Sequence, residues 1–241
     1  MNDVTTDTFF NGRIRVDQSA SGYRFSLDAV ILANTASRRA AGRVCDIGTG
    51  CGIIPLVMAY RNPGISVVYG IEIQRALAEI ASQNAGQNQV ADRVKIICAD
   101  AKAITTEDTQ GPVDMVVCNP PHYEKKAGRI NPDSQKALAR HEISINLKDL
   151  LAAARRILVF QGRLMVIYPA GRIAELMALM QEMHMAPKWL RFVHTMPGKA
   201  AGRVIVEAVS GGGPGSEIAA PLYVNDEKGR YTPEVEAMFS G

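Results

Sequence analysis

Hydrophobic positions in the middle of the chain change period in a regular way. Short β-branched runs at Arg43–Ile47, Ser66–Glu72, Val94–Ala99, Val113–Cys118 and Arg163–Tyr168 read as strands. Between them lie longer stretches with helical spacing, at Ile53–Arg61, Ile73–Asn88, Leu147–Leu158 and Arg172–His184. That alternation predicts an α/β fold: a doubly wound, mostly parallel sheet with helices on both faces. Two further runs, Trp189–His194 and Val204–Val209, flank a loop of Pro, Gly and Lys and predict an antiparallel hairpin at the sheet edge. Ahead of the sheet, Phe9–Val16 alternates weakly, like one strand, and Leu27–Ala36 reads as a helix opened by Ser26 as N-cap. Behind it, Gly211–Gly215 reads as a flexible break before a polar tail with a turn at Glu227–Gly229. The chain thus divides into an N-terminal segment (1–40), a main domain (41–210) and a C-terminal tail (211–241).

The sharpest local pattern is Asp46-Ile47-Gly48-Thr49-Gly50-Cys51-Gly52, between a strand and a helix with Pro55 in its first turn. Glycines there let the backbone bend tightly and approach a ligand with no Cβ in the way. Ile53 stands where a dinucleotide fingerprint needs a small residue, and the Gly-Lys-Ser/Thr ending of a phosphate loop is missing. The following strands end in acids, Glu72 and then Asp100. In a doubly wound sheet ligands bind beyond the carboxyl ends of the strands, so Asp46, Glu72 and Asp100 share one rim. A carboxylate accepts from paired ribose hydroxyls, and Asp100 can accept from an adenine amino group. The combination suits S-adenosylmethionine, although each acid taken singly also reads as an ordinary strand-end cap.

Beyond the fourth strand stands Asn119-Pro120-Pro121-His122. Two consecutive prolines fix the backbone and remove two N–H donors, which makes the loop a rigid acceptor. The Asn119 amide oxygen and the Pro120 carbonyl can each take one hydrogen of a planar NH2 group. Holding both hydrogens favours the geometry in which the nitrogen lone pair attacks a methyl group, with positioning and preorganised electrostatics as the source of catalysis. A lone Asn-Pro-Pro is also a common turn; its place on the same rim favours the chemical reading.

Composition narrows the picture. The 241 residues are 47% hydrophobic and 21% charged, enough apolar surface for one large core. No apolar run is long enough to span a bilayer, and the N-terminus lacks a signal pattern, so a cytoplasmic protein is expected. Cys45, Cys51, Cys98 and Cys118 show neither a CxxC pair nor zinc spacing, so reduced thiols and no metal are expected. The net charge is only +3, but its distribution is uneven. From His122 to Arg163 nine Lys/Arg face four acids, and from Met183 to Val206 Lys188, Arg191, Lys199 and Arg203 face none. Lys125, Lys126, Arg129 and Arg140, close to the acceptor loop, are candidates for RNA phosphates, against the ordinary reading of a solvated loop. His141 reads as structural, and Met177, Met180, Met183 and Met185 as core filling.

Together the glycine loop, the strand-end Glu72 and Asp100 and the Asn-Pro-Pro motif resemble the amino-group methyltransferases of the Rossmann-like S-adenosylmethionine class. The segments Tyr23–Ala33, Gly128–Pro132, Ala139–Glu142 and Arg191–His194 with Gly198-Lys199 are similar to the bacterial valine-tRNA adenine N6-methyltransferase family, over about Phe9 to Pro233. The resemblance implies that residues 1–40 fold over the cofactor, with Leu27 and Asp28 at its methionine end. It further implies that Asp46, Gly48, Thr49, Gly50, Gly52, Glu72, Ile73, Asp100, Ala101 and Asn119 hold S-adenosylmethionine. Tyr123 joins the basic residues on the RNA, probing a tRNA or other RNA substrate. The family carries an aromatic ring after Asn-Pro-Pro to stack on the base, and here His122 stands in its place. Two other readings are an N-methyltransferase acting on a protein glutamine amide, whose NH2 presents the same two hydrogens, and a non-catalytic RNA-binding module on a cofactor fold. Oligomeric state is not legible.

Overall fold

The computed structural model describes residues 4–19, 25–40, 42–120 and 145–240. Strands β1 (Val4–Phe9) and β2 (Ile14–Ser19) form an antiparallel hairpin, followed by helix α1 (Leu27–Ser37). The main sheet then alternates β3 (Gly42–Ile47), α2 (Ile53–Arg61), β4 (Ile65–Glu72), α3 (Arg75–Gln87), β5 (Val94–Cys98) and β6 (Val113–Cys118). It continues through α4 (Leu147–Ile157), β7 (Leu158–Pro169), α5 (Ile173–Glu182), β8 (Met185–His194) and β9 (Ala201–Ser210). Two short strands, β10 (Glu217–Ile218) and β11 (Leu222–Tyr223), and a one-turn helix α6 (Pro233–Glu236) complete it. Across the sheet the order is β5, β4, β3, β6, β7, β9, β8, and both β10 and β11 pair with the far side of β8.

Strands β3 to β7 are parallel, as the alternation predicts, and β9 runs antiparallel to both β7 and β8. The winding reverses between β3 and β6, which opens a crevice at the carboxyl ends of those strands. Side-chain alternation divides the core in two. Val44, Val68, Met115, Val117, Met165 and Ile205 pack under α1, α2 and the N-terminal hairpin. Cys45, Ile47, Ile71, Val116, Cys118, Leu164 and Val206 pack under α4 and α5 with Met180 and Met185, the core role read for the methionines.

Three expectations are corrected. The segment Phe9–Val16 is not one strand: Phe10, Asn11 and Gly12 take positive φ values of 54°, 55° and 81°, and this turn joins β1 to β2. Phe10 tolerates that backbone because its ring is fully buried and stacks on Tyr60 at 4.5 Å. Helix α3 begins at Arg75 rather than Ile73, because the Glu72 carboxylate binds the Gln74 N–H (2.9 Å) and holds the chain extended there. Ser26 occupies the N-cap of α1, as the sequence predicts, without a side-chain cap bond. The polar tail is woven into the fold: Leu222, Val235 and Met238 are buried, and β10 and β11, not the β8–β9 hairpin, form the sheet edge. No helix among the described residues is long and apolar enough to cross a membrane.

Candidate active site

Register fixes the site. Asp46 pairs with Gly70 on one side and Val117 on the other. Two residues further on, Glu72 on β4 and Asn119 beyond β6 therefore flank Gly48 in one row, about 10 Å apart at two interstrand spacings of ~4.8 Å. Pleat alternation puts Asp46, Glu72 and Asn119 on the face that carries Val44, Val68 and Val117, the face covered by α1 and α2. A one-residue slip would turn all three away.

The glycine loop takes the shape that its sequence demands. Gly48, Gly50 and Gly52 have φ of 78°, 58° and 86°, values that side chains rarely adopt. The Gly48 and Thr49 amides donate to the Ile71 carbonyl at 2.9 and 3.0 Å, and the Gly50 amide to Glu72 Oε2 at 2.9 Å. A Cβ on Gly48 or Gly50 would meet nothing within 4 Å, so the loop opens onto free space. Glycine 70 makes the opposite contact: a Cβ there would lie 2.9 Å from Thr49 Oγ1 and 2.8 Å from Ile96 Cδ1. Its signal in the sequence is a glycine inside a β-branched strand, the mark of close approach by another segment.

Asp46 is fully buried, and neither carboxylate oxygen has a hydrogen-bond partner. Burial pushes its carboxyl up to about 7; the nearby Thr49 hydroxyl opposes the shift without bonding geometry, and the Glu72 charge adds to it. An unsatisfied buried carboxylate is costly, and a cationic or donor group at the crevice would relieve it. Glu72 is also buried and already accepts from Gly50 and Gln74, one bond per oxygen, so each oxygen keeps a lone pair for a ligand hydroxyl. Ile73 beside it is an exposed apolar side chain (40%), a surface on which a planar ring can lie. Asp100 Oδ1 accepts from the Lys102 N–H at 2.9 Å, closing a turn that buries Ala101 and leaving Oδ2 for a ligand. These donor and acceptor sets fit S-adenosylmethionine: an anion for its ammonium, a carboxylate for its ribose and an apolar ledge for its adenine.

Half-buried Asn119 and buried Pro120 stand at the end of β6, across the crevice from Glu72. Pro121, His122, Tyr123, Lys125, Lys126, Arg129, Arg140 and His141 lie outside the described residues. Leu27 opens α1, but Asp28 beside it accepts from Arg203 Nε at 2.8 Å, so its charge is shared with the sheet. In the basic stretch 183–206 three cations have protein partners. Lys188 donates to the Pro214 and Gly215 carbonyls, Arg191 forms a bidentate pair with Glu234 (2.7 and 2.8 Å), and Arg203 holds Asp28. Lys199 stays exposed. Buried Cys45 and Cys118 have thiol pKa values pushed well up by burial and face away from the crevice, which makes them packing groups.

A crevice at the reversal point of a doubly wound sheet, with Asp46 and Glu72 on one lip and Asn119-Pro120 on the other, is that of a Rossmann-like S-adenosylmethionine-dependent methyltransferase. Solved structures share the fold: one described as a predicted O-methyltransferase from Agrobacterium tumefaciens has a TM-score of 0.69 at 23% identity, covering 88% of this chain and 94% of that one. The 16S rRNA N2 G1207 methyltransferase of T. thermophilus, solved with AdoMet and guanosine, has a TM-score of 0.58 at 14% identity, covering 86% and 50%. The methyltransferase small domain model matches residues 24–186. The tRNA1(Val) (adenine(37)-N6)-methyltransferase of Porphyromonas gingivalis is 33% identical over 96% of this chain and 92% of its own length, and that of Aeromonas hydrophila 31% identical over 80% of each. The chain belongs to the methyltransferase small domain family and, within it, to the family of the tRNA1(Val) (adenine(37)-N6)-methyltransferases.

Proposed function

We propose that the protein transfers a methyl group from S-adenosylmethionine to the exocyclic N6 of an adenine in tRNA, and that adenine 37 of tRNA1(Val), the position in its relatives' name, is the target. The placement of Asn119-Pro120 one strand from the buried Asp46 carries this reading. When bound, S-adenosylmethionine supplies an electrophilic methyl on a cationic sulfur. Asp46 faces the cationic end of the cofactor, with Asp28 at the entrance. The free lone pairs of Glu72 take the ribose hydroxyls, Ile73 and Ala101 border the adenine, and Asp100 accepts from its amino group. Gly48, Thr49, Gly50 and Gly52 supply the close backbone wall. Asn119 Oδ1 and the Pro120 carbonyl accept the two N6 hydrogens, aim the nitrogen lone pair and stabilise the charge that develops on the nitrogen. The extra proton leaves to water after transfer, and no side chain need act as base. Pro121 stiffens the acceptor loop, and His122 stacks on the extruded base. Tyr123, Lys125, Lys126, Arg129 and Arg140 contact the flanking nucleotides.

The test is methyl transfer to tRNA from a strain lacking the gene, read by nucleoside mass spectrometry as N6-methyladenosine. Asn119→Ala should keep S-adenosylmethionine affinity within about threefold and slow single-turnover transfer by ~10²- to 10³-fold. Label on a protein glutamine instead of RNA would move the activity to an amide; near-normal turnover in folded Asn119→Ala would defeat the mechanism.

A further inference from the structure

One fully buried polar side chain joins the N-terminal hairpin to the glycine loop, and the mechanism so far does not use it. Asn84, near the end of α3, is 0% exposed. Its Oδ1 accepts from the Asp17 N–H (2.9 Å) and from Gln87 Nε2 (2.7 Å), while its Nδ2 donates to the Asp17 carbonyl (2.9 Å) and the Cys51 carbonyl (2.8 Å). An amide has two acceptor and two donor positions, and all four are used. No other side chain of that size supplies both.

The neighbouring turn of the helix repeats half of this pattern. Asn88 Oδ1 accepts from the Arg15 N–H (2.8 Å), and its Nδ2 donates to the Arg15 carbonyl (2.6 Å). Four residues rise ~6.0 Å along a helix and two residues rise ~6.8 Å along a strand, so Asn84 and Asn88 match Asp17 and Arg15. The two amides act as a substitute strand along the edge of β2 that β1 leaves unpaired. Only Asn84 carries the contact further, to Cys51, whose carbonyl lies between Gly50 and the left-handed Gly52. Within β2, buried Gln18 accepts from the Phe25 N–H at 2.9 Å and so ties the hairpin to the start of α1, beside Leu27 and Asp28.

We infer that Asn84 is a positioning residue for S-adenosylmethionine: it fixes the Cys51–Gly52 peptide against the N-terminal hairpin, so that loop and hairpin form one preorganised wall of the cofactor site. The inference rests on the cofactor reading above. It also gives the hairpin a role at a distance, since this amide links Asp17 to the loop.

The test is calorimetric titration of the full-length protein with S-adenosylmethionine, in the absence of RNA. Asn84→Ala should raise the Kd about 10- to 100-fold, because it removes all four hydrogen bonds of the buried amide, the one to the Cys51 carbonyl among them. Asn84→Asp, which keeps the acceptor and loses both donors, should do the same. Met180→Ala, in the opposite core layer, serves as a control destabilised to a similar extent and should leave the Kd within about twofold. In turnover, Asn84→Ala should raise the KM for S-adenosylmethionine and leave kcat at saturation within about threefold, the split expected for lost preorganisation. A Kd within about twofold of the parent in folded Asn84→Ala, or an equal rise in Met180→Ala, overturns the inference. If the Asn84 variants do not fold, hydrogen exchange on the unmodified protein decides: saturating S-adenosylmethionine should slow the Arg15 and Asp17 amides together with those of 49–52, and unchanged exchange in the hairpin overturns the coupling. Because binding is read without RNA, failure to methylate tRNA would sink the proposed function and leave this inference standing.

Discussion

Asp46 gives the site its pH dependence. In the ligand-free fold its carboxyl titrates at about 7, against about 4 in an unfolded chain, so between those values the folded state holds a proton that the unfolded state has released. The stability from protonated Asp46 is therefore full below about pH 4, declines as pH rises and is gone above about 7. Asp46→Asn should remove that decline and make the ligand-free protein more stable than its parent at pH 8, as thermal unfolding at several pH values will show. Cofactor binding should follow the opposite course, because the carboxylate is the form that pairs with an ammonium. Affinity for S-adenosylmethionine should climb toward about tenfold per pH unit from pH 5 to 7, and the slope should flatten in Asp46→Asn. Equal slopes in the two proteins would take Asp46 out of contact with the cofactor.

At the level of elements, the close approach of β4 to the glycine loop makes Gly70 a second control point. Gly70→Ala forces its methyl against Thr49 and Ile96. It should destabilise the protein by about 1 to 3 kcal/mol and weaken S-adenosylmethionine binding, because Thr49 is the easier neighbour to displace; denaturant unfolding and titration check the two effects separately. The central strands were legible because their β-branched runs are local patterns, and Asp46, Glu72 and Asn119 were legible because each stands at the end of one. The N-terminal hairpin was not, since its turn uses a left-handed Phe10 that distant packing stabilises. Strands β10 and β11, at two residues each, are too short to show any period. Asn84 was hidden for a different reason. Its partners Asp17 and Cys51 lie 67 and 33 residues away, and the only trace in the sequence is a polar residue beside the buried stripe Ala78, Ala81 and Ala85.

Across the whole molecule the last described residues close over the first. The Phe10 N–H donates to the Phe239 carbonyl at 2.7 Å, the Phe239 ring stacks on Phe9 and on Tyr231 at 5.7 Å each, and Asn34 reaches the Met238 carbonyl. Arg191 and Glu234 clamp the same tail to β8. Met238→Ala should therefore cost about 2 to 4 kcal/mol, the penalty of a core cavity; a midpoint of urea unfolding close to that of the parent would show that the tail is dispensable. The same closure sets a timetable for synthesis. At ~5 to 20 residues per second, the ribosome needs on the order of 10 to 50 s to travel from Phe10 to Phe239, and the loop between them is among the longest that the chain can close. Until then Phe9 and Phe10 lack their final cover, so the nascent chain presents an aromatic patch that a chaperone could hold, and the tail's arrival is the step that ends that exposure.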